Sequence, residues 1–374
     1  MKYSIILPCR NEEAAIAFCI TSIQQTMKKA KIRDYEIIVS DSSVDSSPKI
    51  AQKLGAKVVK HDKEGYGMAY LEGFKAAAGN YVICMDADLS YDSKDIPKFI
   101  NYLSQGYDFV IGNRFKGKID KGAMSWSHKY IGNPVLSGVL RLFFRAKIHD
   151  AHSGMRALTK RALEKLNLKT AGMEFASEMI IKAIKNNLKI KEIPVGYHRR
   201  KGVSKLKPFG DAWRHLRFML LYSPLFLFFI PGILLILTGL VSMLWFYAGV
   251  EISRIKFFYH PMFISSLIII IGYQLIIFGL FAKTYALNHL GDKSKLDRFY
   301  RYLTIEKATI FGILLSLLGI AIYAVLFIRW VKTDFNAFTI YETKDSIIAL
   351  TLFIIGIQTI FSSFVLSILG IKEK

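Results

Sequence analysis

The sequence predicts an α/β domain built around a mostly parallel sheet, followed by an interfacial helix and a four-helix transmembrane domain. Up to residue 223, short apolar runs alternate with helix-like segments, which is the pattern of parallel α/β domains. Beyond that point come four long apolar stretches, and a helix needs about 20 apolar residues to cross a bilayer. Hydrophobic residues make up 52% of the chain and charged residues 21%, a mixture that fits one soluble and one membrane part.

In the soluble part, predicted strands and helices alternate along the chain. The strands are predicted at 3–8, 35–41, 56–61, 80–86, 107–113 and 189–198. The helices are predicted at 13–29, 46–55, 66–78, 94–104, 126–144 and 172–187. Ligands of parallel sheets bind outside the carboxyl ends of the strands. Three of these ends carry polar groups, at 8–12, 41 and 86–88, so the sequence predicts one shared cleft.

The remaining segments predict the membrane part. The transmembrane helices are predicted at about 224–249, 261–287, 308–331 and 346–370. Segment 208–223 places its apolar residues near one face, as helices lying in the interface do. The domains are therefore predicted as 1–207, 208–223 and 224–374, with no internal repeat. The basic loop 288–307 predicts a multi-pass protein of the cell membrane whose α/β domain and both termini are cytoplasmic.

The net charge limits the classes of binding partner, and the cysteine content indicates the redox compartment. The formal net charge is +22, and residues 1–223 hold 38 Lys and Arg against 21 Asp and Glu. Anionic lipid head groups or a phosphate-rich substrate explain this excess better than nucleic acid, for which no motif is present. The three cysteines form no CxxC pair, so we expect a reducing compartment and no disulfide.

The stretch "MDADLSYD" at residues 85–92 carries the clearest chemical signal. Asp86 and Asp88 are two residues apart, so on an extended segment both carboxylates face the same way. Carboxylate oxygens suit Mg²⁺ or Mn²⁺, and substrate phosphates usually complete the ligands of such ions. A short acidic pattern is also common in solvated surface loops, and that alternative stays open.

Several motifs in order resemble the family 2 glycosyltransferases with the GT-A fold. They are "PCRNEE", "SDSSVD", "GYGMAYLEGFKAAAGNYVICMDADLSYD", "GNRF" and "DAHSGMRA". The tail "GVSKLKPFGDAWRHLRFMLLYSP", followed by membrane spans, is similar to the polyprenyl-phosphate glycosyltransferases, the group of dolichol-phosphate mannose and glucose synthases. The resemblance covers roughly residues 1–224 and is architectural for the spans.

The resemblance implies a role for each motif residue. Nucleotide-sugar binding falls to Pro8, Asn11, Glu12, Asp41, Gly65, Gly67, Asp86 and Asp88. Phosphate and acceptor binding falls to Arg114, Ser153, Arg156, Arg199, Arg200 and Lys205. The catalytic set is Asp88, Arg114, Asp150 and Glu178, and Asp86 with Asp88 would hold Mg²⁺ or Mn²⁺. Two departures stand out: Ser40 replaces an acid before Asp41, and Ser90 replaces a Gln of the mannose synthases, which argues against GDP-mannose specifically.

The activity implied is transfer of a hexose, with inversion, from a UDP-glucose or GDP-mannose type donor to a polyprenyl (dolichyl) phosphate. The partners are then the nucleotide-sugar, the lipid phosphate and the bilayer, while a homo-oligomer through the spans stays open. One alternative is a processive polysaccharide synthase, although Leu326 stands at the Gln position of its QxxRW motif, before Arg329 and Trp330. The other is a non-catalytic membrane protein that binds nucleotide-sugars.

Overall fold

The computed structural model describes residues 2–202, 208–249, 257–289 and 305–370. The chain forms two compact units, Met1–Met219 and Leu220–Lys374. The first is an α/β unit, and the second consists of long apolar helices. The predicted fold class is therefore confirmed.

A seven-stranded sheet forms the centre of the first unit, in the order β3-β2-β1-β4-β6-β5-β7. Its strands are β1 (Tyr3–Cys9), β2 (Tyr35–Asp41), β3 (Lys57–Lys60), β4 (Tyr81–Cys84), β5 (Phe109–Asn113), β6 (Arg156–Thr159) and β7 (Ile190–Pro194). Its helices are α1 (Glu13–Lys29), α2 (Ser47–Lys53), α3 (Tyr66–Ala76), α4 (Ile96–Ser104), α5 (Asn133–Phe144), α6 (Lys160–Leu166), α7 (Phe175–Lys185) and α8 (Pro208–Tyr222). β6 alone runs antiparallel to its neighbours among the described strands.

Apolar periodicity explains the core around this sheet. The middle of β1 is buried on both faces, as is usual for a central parallel strand covered by helices. Helix α1 buries Ile16, Ile20 and Ile23, which are spaced three to four residues apart and so lie on one face. These side chains share one core cluster with Ile5 and Leu7 of β1.

Strand β6 is absent from the sequence prediction, and it shapes the site. Its four residues are too few to show alternation, and its pairing with β4 spans more than 70 residues of chain. Cys84 at the end of β4 pairs with Arg156 at the start of β6. Because the two strands are antiparallel, the segment before β6 is brought to the point where β4 ends.

The second unit contains helices α9 (Ile230–Tyr247), α10 (His260–His289), α11 (Ile305–Lys332) and α12 (Ile340–Gly370). In the described part of the chain, four helical stretches are long and apolar enough to cross a membrane: Leu225–Tyr247, His260–Tyr285, Glu306–Lys332 and Ile340–Gly370. These match the four predicted spans, and the chain is a membrane protein.

The four helices form two hairpins that repeat each other, which corrects the prediction that the chain has no internal repeat. Helices α9 and α11 share the pattern Gly-Ile-Leu-Leu-x-Leu-x-Gly, beginning at Gly232 and Gly312. Helices α10 and α12 share Ile-Ile-Gly-x-Gln, with glycines at Gly272 and Gly356. The repeat is difficult to recognise without the structure, because its two copies share few positions within a background of apolar residues.

Equivalent glycines make equivalent contacts in the two hairpins. A Cβ added at Gly232 would lie 2.8 Å from the carbonyl oxygen of Gly272, and one added at Gly312 would lie 2.8 Å from that of Gly356. Small residues let membrane helices approach closely in this way. Hydroxyl contacts then join the hairpins, since Ser266 of α10 lies 2.6 Å from Thr351 of α12.

Lys344 provides a second connection between the hairpins. Its side chain is buried, and its Nζ donates to the carbonyl oxygens of Phe246 and Tyr247 at 2.8 and 3.1 Å. These carbonyls belong to the end of α9, where the helix dipole favours a cation. The start of α12 therefore caps the end of α9.

Candidate active site

The carboxyl ends of β2, β1 and β4 lie side by side at one edge of the sheet. Cys9, the last residue of β1, is in register with Asp41 at the end of β2. Ile6 of β1 pairs with Cys84 at the end of β4. Asp41 and Asp86 therefore stand on either side of β1 at the same edge, which confirms the predicted juxtaposition.

Asp86 and Asp88 are held in place by the protein around them. Asp88 is buried, its Oδ2 lies 2.8 Å from Arg200 Nη2, and its Oδ1 accepts from the backbone N–H of Ser90 at 3.0 Å. The Asp86 carboxylate lies against Gly154, where an added Cβ would come within 2.2 Å of Oδ2. The acidic stretch is therefore part of a built site and not a solvated loop.

The electrostatics of this pair favour a bound cation. Burial, followed by the neighbouring charge of Asp88, raises the pKa of Asp86 to about 7, although Arg200 and Arg114 lower it. Oxygen ligands of a divalent ion would relieve this repulsion. Ser90, whose backbone N–H contacts Asp88, has a buried Oγ without a hydrogen-bond partner among the described residues.

The residues present fit part of a metal site. Among the described residues, no group of three or more His, Cys, Asp or Glu side chains is placed to hold an ion alone. Magnesium is commonly bound through one or two carboxylates together with substrate phosphates. The Asp86–Asp88 pair is suited to that arrangement.

Arg114 and Asp150 form a buried bidentate pair. Arg114 Nε donates to Asp150 Oδ2 at 2.8 Å and Nη2 donates to Oδ1 at 2.7 Å, while the Arg114 backbone N–H also donates to Oδ2. The guanidinium stacks on the ring of Tyr197, 5.1 Å from its centroid. Since both oxygens of Asp150 are engaged, its visible role is to fix the position of Arg114.

Residues 197–202, which we call the strap, lie along the acidic stretch. The backbone N–H of His198 donates to the carbonyl of Ser90, and that of Lys201 donates to the carbonyl of Asp88. The strap thereby places Arg200 on Asp88, whereas Arg199 is exposed. Lys205 lies outside the described residues.

A cavity of about 630 Å³ opens at the ends of β2 and β3, and Asp41 and His61 line it. Asp41 is 1% exposed, yet neither of its carboxylate oxygens has a hydrogen-bond partner in the described part of the chain. His61 Nε2 is likewise buried and unpartnered there. A buried polar group normally has a partner, so these atoms indicate a ligand site.

The end of β1 is joined to the loop that lines this cavity, and Arg10, the residue after β1, lines it as well. Asn11 has a left-handed backbone (φ 55°), accepts from the N–H of Val44 and donates its own N–H to Ser43 Oγ. The N–H of Glu12 donates to Ser47 Oγ at 3.0 Å. Pro8 lies within β1, opposite Ser40. These contacts join the end of β1 to the loop after β2.

Gly65 and Gly67, predicted to contact the nucleotide, pack against protein backbone on the side where a Cβ would stand. A Cβ at Gly65 would lie 2.3 Å from the carbonyl oxygen of Ala171, and one at Gly67 would lie 2.2 Å from that of Thr170. The N–H of Met68 donates to the same Ala171 carbonyl. Segment 170–171 therefore covers one side of the first turn of α3, and the contact of Gly65 and Gly67 with the nucleotide stays a prediction.

The predicted position of Glu178 requires a correction. Its carboxylate is buried and accepts from the backbone N–H groups of Lys169 and Thr170, from Thr170 Oγ1, and from Lys182 at 2.7 Å. It therefore supports the segment that covers α3, whereas the sequence placed it facing the cleft.

Arg156 has a role within the scaffold, and its contact with phosphate or acceptor stays a prediction. Its guanidinium donates to the carbonyl oxygens of Ala151, Ser153 and Ala176 at 2.8 to 2.9 Å. Ser153 Oγ is buried and lies 3.4 Å from Tyr91 Oη. Both residues shape the segment before β6, which presents Gly154 to Asp86.

Three tyrosines of the site escape sequence reasoning. Tyr66 Oη lies 3.4 Å from Asp86 Oδ1, and Tyr91 Oη accepts from the N–H of Gly154 at 2.6 Å. Tyr197 packs edge-on against Tyr91 and carries Arg114 on its face. In the sequence, a tyrosine beside a motif cannot be told from an ordinary core residue. Its contacts with the site are seen only in the folded structure.

Helix α8 packs on the rest of the first unit through a pair of histidines. His215 Nδ1 lies 2.8 Å from Ser177 Oγ, and the His215 ring packs edge-on against His152 with centroids 4.3 Å apart. Burial lowers the pKa of His215 to about 4. The pKa of His152 is also lowered, well below its usual range, first by burial and then by the neighbouring His215. Both rings are therefore uncharged at neutral pH, while Trp213 of α8 is exposed.

Comparison with known proteins agrees with this geometry. Residues 4–167 match the model of glycosyl transferase family 2, and residues 280–370 match the glycosyltransferase family 2 C-terminal transmembrane region. A low-salt glycan biosynthesis hexosyltransferase, Agl6, of Haloferax volcanii is 37% identical over 98% of this chain and 89% of its own length.

Two further relatives match the first unit mainly. A dolichyl-phosphate hexose transferase of Haloferax volcanii is 30% identical over 56% of this chain and 88% of its own length. A dolichol-phosphate mannosyltransferase of Pyrococcus furiosus is 33% identical over 55% of this chain and 60% of its own length. With a GT-A type sheet, a carboxylate pair at its edge and a relative matching almost end to end, the chain belongs to glycosyl transferase family 2 and carries that family's C-terminal transmembrane region.

Proposed function

We propose that this protein transfers a hexose from a nucleoside-diphosphate sugar to a polyprenyl phosphate, yielding a lipid-phosphate sugar. The observation that carries the proposal is the Asp86–Asp88 pair, held at the strand ends and faced by Arg114 and Arg200. That arrangement suits a substrate with several phosphates. The names of the relatives, which include two lipid-phosphate transferases, support the choice of acceptor.

Asp86 and Asp88 would hold Mg²⁺ or Mn²⁺. When bound, such an ion stabilises the negative charge that develops on a departing diphosphate. On the protein's side, Arg114 supplies a positive charge whose position is fixed by Asp150 and Tyr197. A preorganised charge of this kind costs no reorganisation during the reaction.

The chemistry proposed is one displacement at the anomeric carbon. An oxygen of the acceptor phosphate forms a bond to that carbon, and the bond to the diphosphate oxygen breaks, with its electron pair leaving on the nucleoside diphosphate. Displacement from the opposite face inverts the configuration. A phosphate monoester has a second pKa of about 6, so it is largely deprotonated at neutral pH and needs no strong base. Asp150 can therefore serve to orient Arg114 alone.

The strap supplies the adjustable part of the site in this proposal. Arg200 reaches Asp88 from the strap and can pair with phosphate oxygens when a substrate arrives. Arg199, which is exposed, and Lys205 would extend this positive charge toward the acceptor. Most of the rate enhancement would then come from the placement of two negatively charged reactants.

Apolar side chains on the first unit support a position against the bilayer. Trp126, Tyr130, Val135 and Leu142, in and before α5, are each more than half exposed, as is Trp213 of α8. Exposed aromatic residues of this kind commonly lie at the head-group level. We propose that these residues bring the cleft to the height of a lipid phosphate on the cytoplasmic side.

The direct test is a lipid assay with purified full-length protein. Labelled nucleotide-sugars, a polyprenyl phosphate and Mg²⁺ or Mn²⁺ should give a labelled lipid. Asp88→Asn should abolish the label, whereas Glu164→Gln, which removes an exposed carboxylate on α6, should retain it. If folded Asp88→Asn kept full activity, the role of the pair would be wrong; if no donor gave a labelled lipid, a non-catalytic binding protein would be the better description.

A further inference from the structure

The cavity beside Asp41 presents an unusual set of buried atoms. Asp41 lies at the end of β2, and His61 directly follows β3. Asp41 Oδ1, Asp41 Oδ2 and His61 Nε2 are all buried and all lack a hydrogen-bond partner among the described residues. Both residues line the cavity, so a ligand bound there that donates hydrogen bonds could satisfy these atoms.

All three atoms are hydrogen-bond acceptors. An ionised carboxylate accepts and does not donate. His61 Nδ1 lies 3.1 Å from the carbonyl oxygen of Lys63, which can only accept. In the neutral ring the proton is therefore on Nδ1, and Nε2 is left as an acceptor. The buried part of the cavity thus calls for a ligand edge rich in N–H or O–H donors.

We infer that this cavity is built for guanine, so that the donor substrate is a guanosine-diphosphate sugar. Guanine presents a ring N–H and an exocyclic NH₂ on one edge, which together give three N–H donors. Uracil presents one N–H between two carbonyl oxygens and would turn an acceptor toward an unpartnered acceptor. A site with buried polar groups discriminates strongly against a ligand that leaves them unpaired.

The position of the cavity agrees with this assignment, which rests on the proposed function. Asp41 ends β2 and Asp86 follows β4, with β1 between the two strands, so these strands are about 10 Å apart at the usual spacing. A nucleoside can bridge that distance with its base at Asp41 and its diphosphate at Asp86. Lys60 is exposed at the cavity and can donate to the remaining carbonyl of guanine.

The inference concerns the base and not the hexose. Ser90, the position at which this chain departs from the mannose synthases, lies beside Asp88 at the diphosphate end. It therefore leaves the recognition of the base untouched. The sugar itself is left open by these contacts.

Calorimetric titration of the full-length protein with GDP, UDP, ADP and CDP, each with Mg²⁺, tests the inference. The wild-type protein should bind GDP at least about 10-fold more tightly than UDP. Asp41→Asn should weaken GDP binding by at least about 10-fold while changing UDP binding much less. Glu164→Gln is the matched control for loss of a carboxylate and should leave all four affinities unchanged.

Each other outcome has a defined meaning. UDP binding as tight as GDP binding in the wild-type protein overturns the inference, and this measurement does not depend on any variant folding. An equal loss for all four nucleotides in Asp41→Asn means that Asp41 holds the ribose, which also overturns it. A clear preference for GDP without a labelled lipid from any GDP-sugar would refute the proposed transfer while leaving the base assignment intact.

Discussion

At the residue scale, each charged side chain of the cleft is held by a specific neighbour. Asp150 holds Arg114, the backbone of Ser90 orients Asp88, and Gly154 borders Asp86. These contacts fix the positions of the charges in the cleft. Preorganisation of this kind depends on contacts of a few tenths of an ångström.

Gly154 gives the sharpest single-residue prediction. A Cβ there would lie 2.2 Å from Asp86 Oδ2, so Gly154→Ala must displace either the Asp86 carboxylate or the segment before β6. We expect Gly154→Ala to lower kcat by at least about 100-fold, since a displacement of about 1 Å can have that effect. Initial rates of lipid labelling measure it.

The control for this change is Gly138→Ala on α5. A Cβ at Gly138 would meet only the end of the Arg141 side chain, at 3.8 Å. We expect Gly138→Ala to keep wild-type activity, and alanine in a helix should stabilise it slightly. Wild-type rates for Gly154→Ala would contradict the close packing around Asp86.

The residue scale is also where sequence reasoning reaches its limit. Asp86, Asp88 and Arg114 follow buried strands, and topology alone brings such positions to one edge. Glu178 is acidic like the two aspartates and Arg156 is basic like Arg114, yet both bind backbone groups inside the scaffold. Whether such a side chain faces the cleft or the scaffold depends on the folded chain around it, and no local sequence pattern indicates which.

At the element scale, two structures depend on contacts between elements distant in the chain. The docking of α8 depends on His152 and His215, and the hairpins of the membrane unit depend on facing glycines. Strand β6 belongs to the same class, because four residues pair only with strands far away in sequence. Longer elements such as α1 and β1 could be predicted, since their apolar periodicity is local.

The contact between α8 and the rest of the first unit should weaken in acid. A histidine in an unfolded chain has a pKa of about 6.5, and that of His215 in the folded protein is about 4. Between these values the unfolded chain binds more protons, so the free energy of unfolding falls as the pH drops from 6.5 to 4. One such group contributes about 3 kcal/mol over this range.

Thermal unfolding of the detergent-solubilised protein at pH 7.5 and pH 5 measures this effect. Wild-type protein should have a lower Tm at pH 5, and His215→Gln should show a smaller difference between the two conditions. His149→Gln, which changes an exposed histidine, should retain the wild-type difference. An unchanged pH response in His215→Gln would show that this contact does not carry the acid sensitivity.

The hairpin glycines lead to a paired prediction. Gly272→Val and Gly356→Val each place a side chain where an added Cβ would lie 2.7 Å or less from the facing helix. Each change should destabilise its hairpin by about 1–3 kcal/mol, as overpacking usually does. Gly370→Val faces open space and should have no such effect. Thermal unfolding measures all three, and a loss for only one of the first two would mean that the hairpins are not equivalent.

At the scale of the whole molecule, the orientation across the membrane is the main proposal to test. The connection between α11 and α12 is expected outside the cell, and the first unit inside. Asn336→Cys, in that connection, should react in intact cells with a thiol reagent that does not cross membranes. Glu164→Cys on α6 should react only after lysis. The three native cysteines are buried and give a low background. The reverse pattern would invert the proposed topology.

Tandem copying of a shorter gene segment would produce a repeated hairpin of this kind. An ancestor with one hairpin would have had to find a second molecule of itself, and such an encounter depends on concentration. Fusion of the copies makes the encounter intramolecular and fixes a one-to-one ratio. The two copies could then diverge separately. Lys344 is an example: the spacing between Gly272 and Gly356 relates it to His260 in the other hairpin, so the two copies hold different residues there.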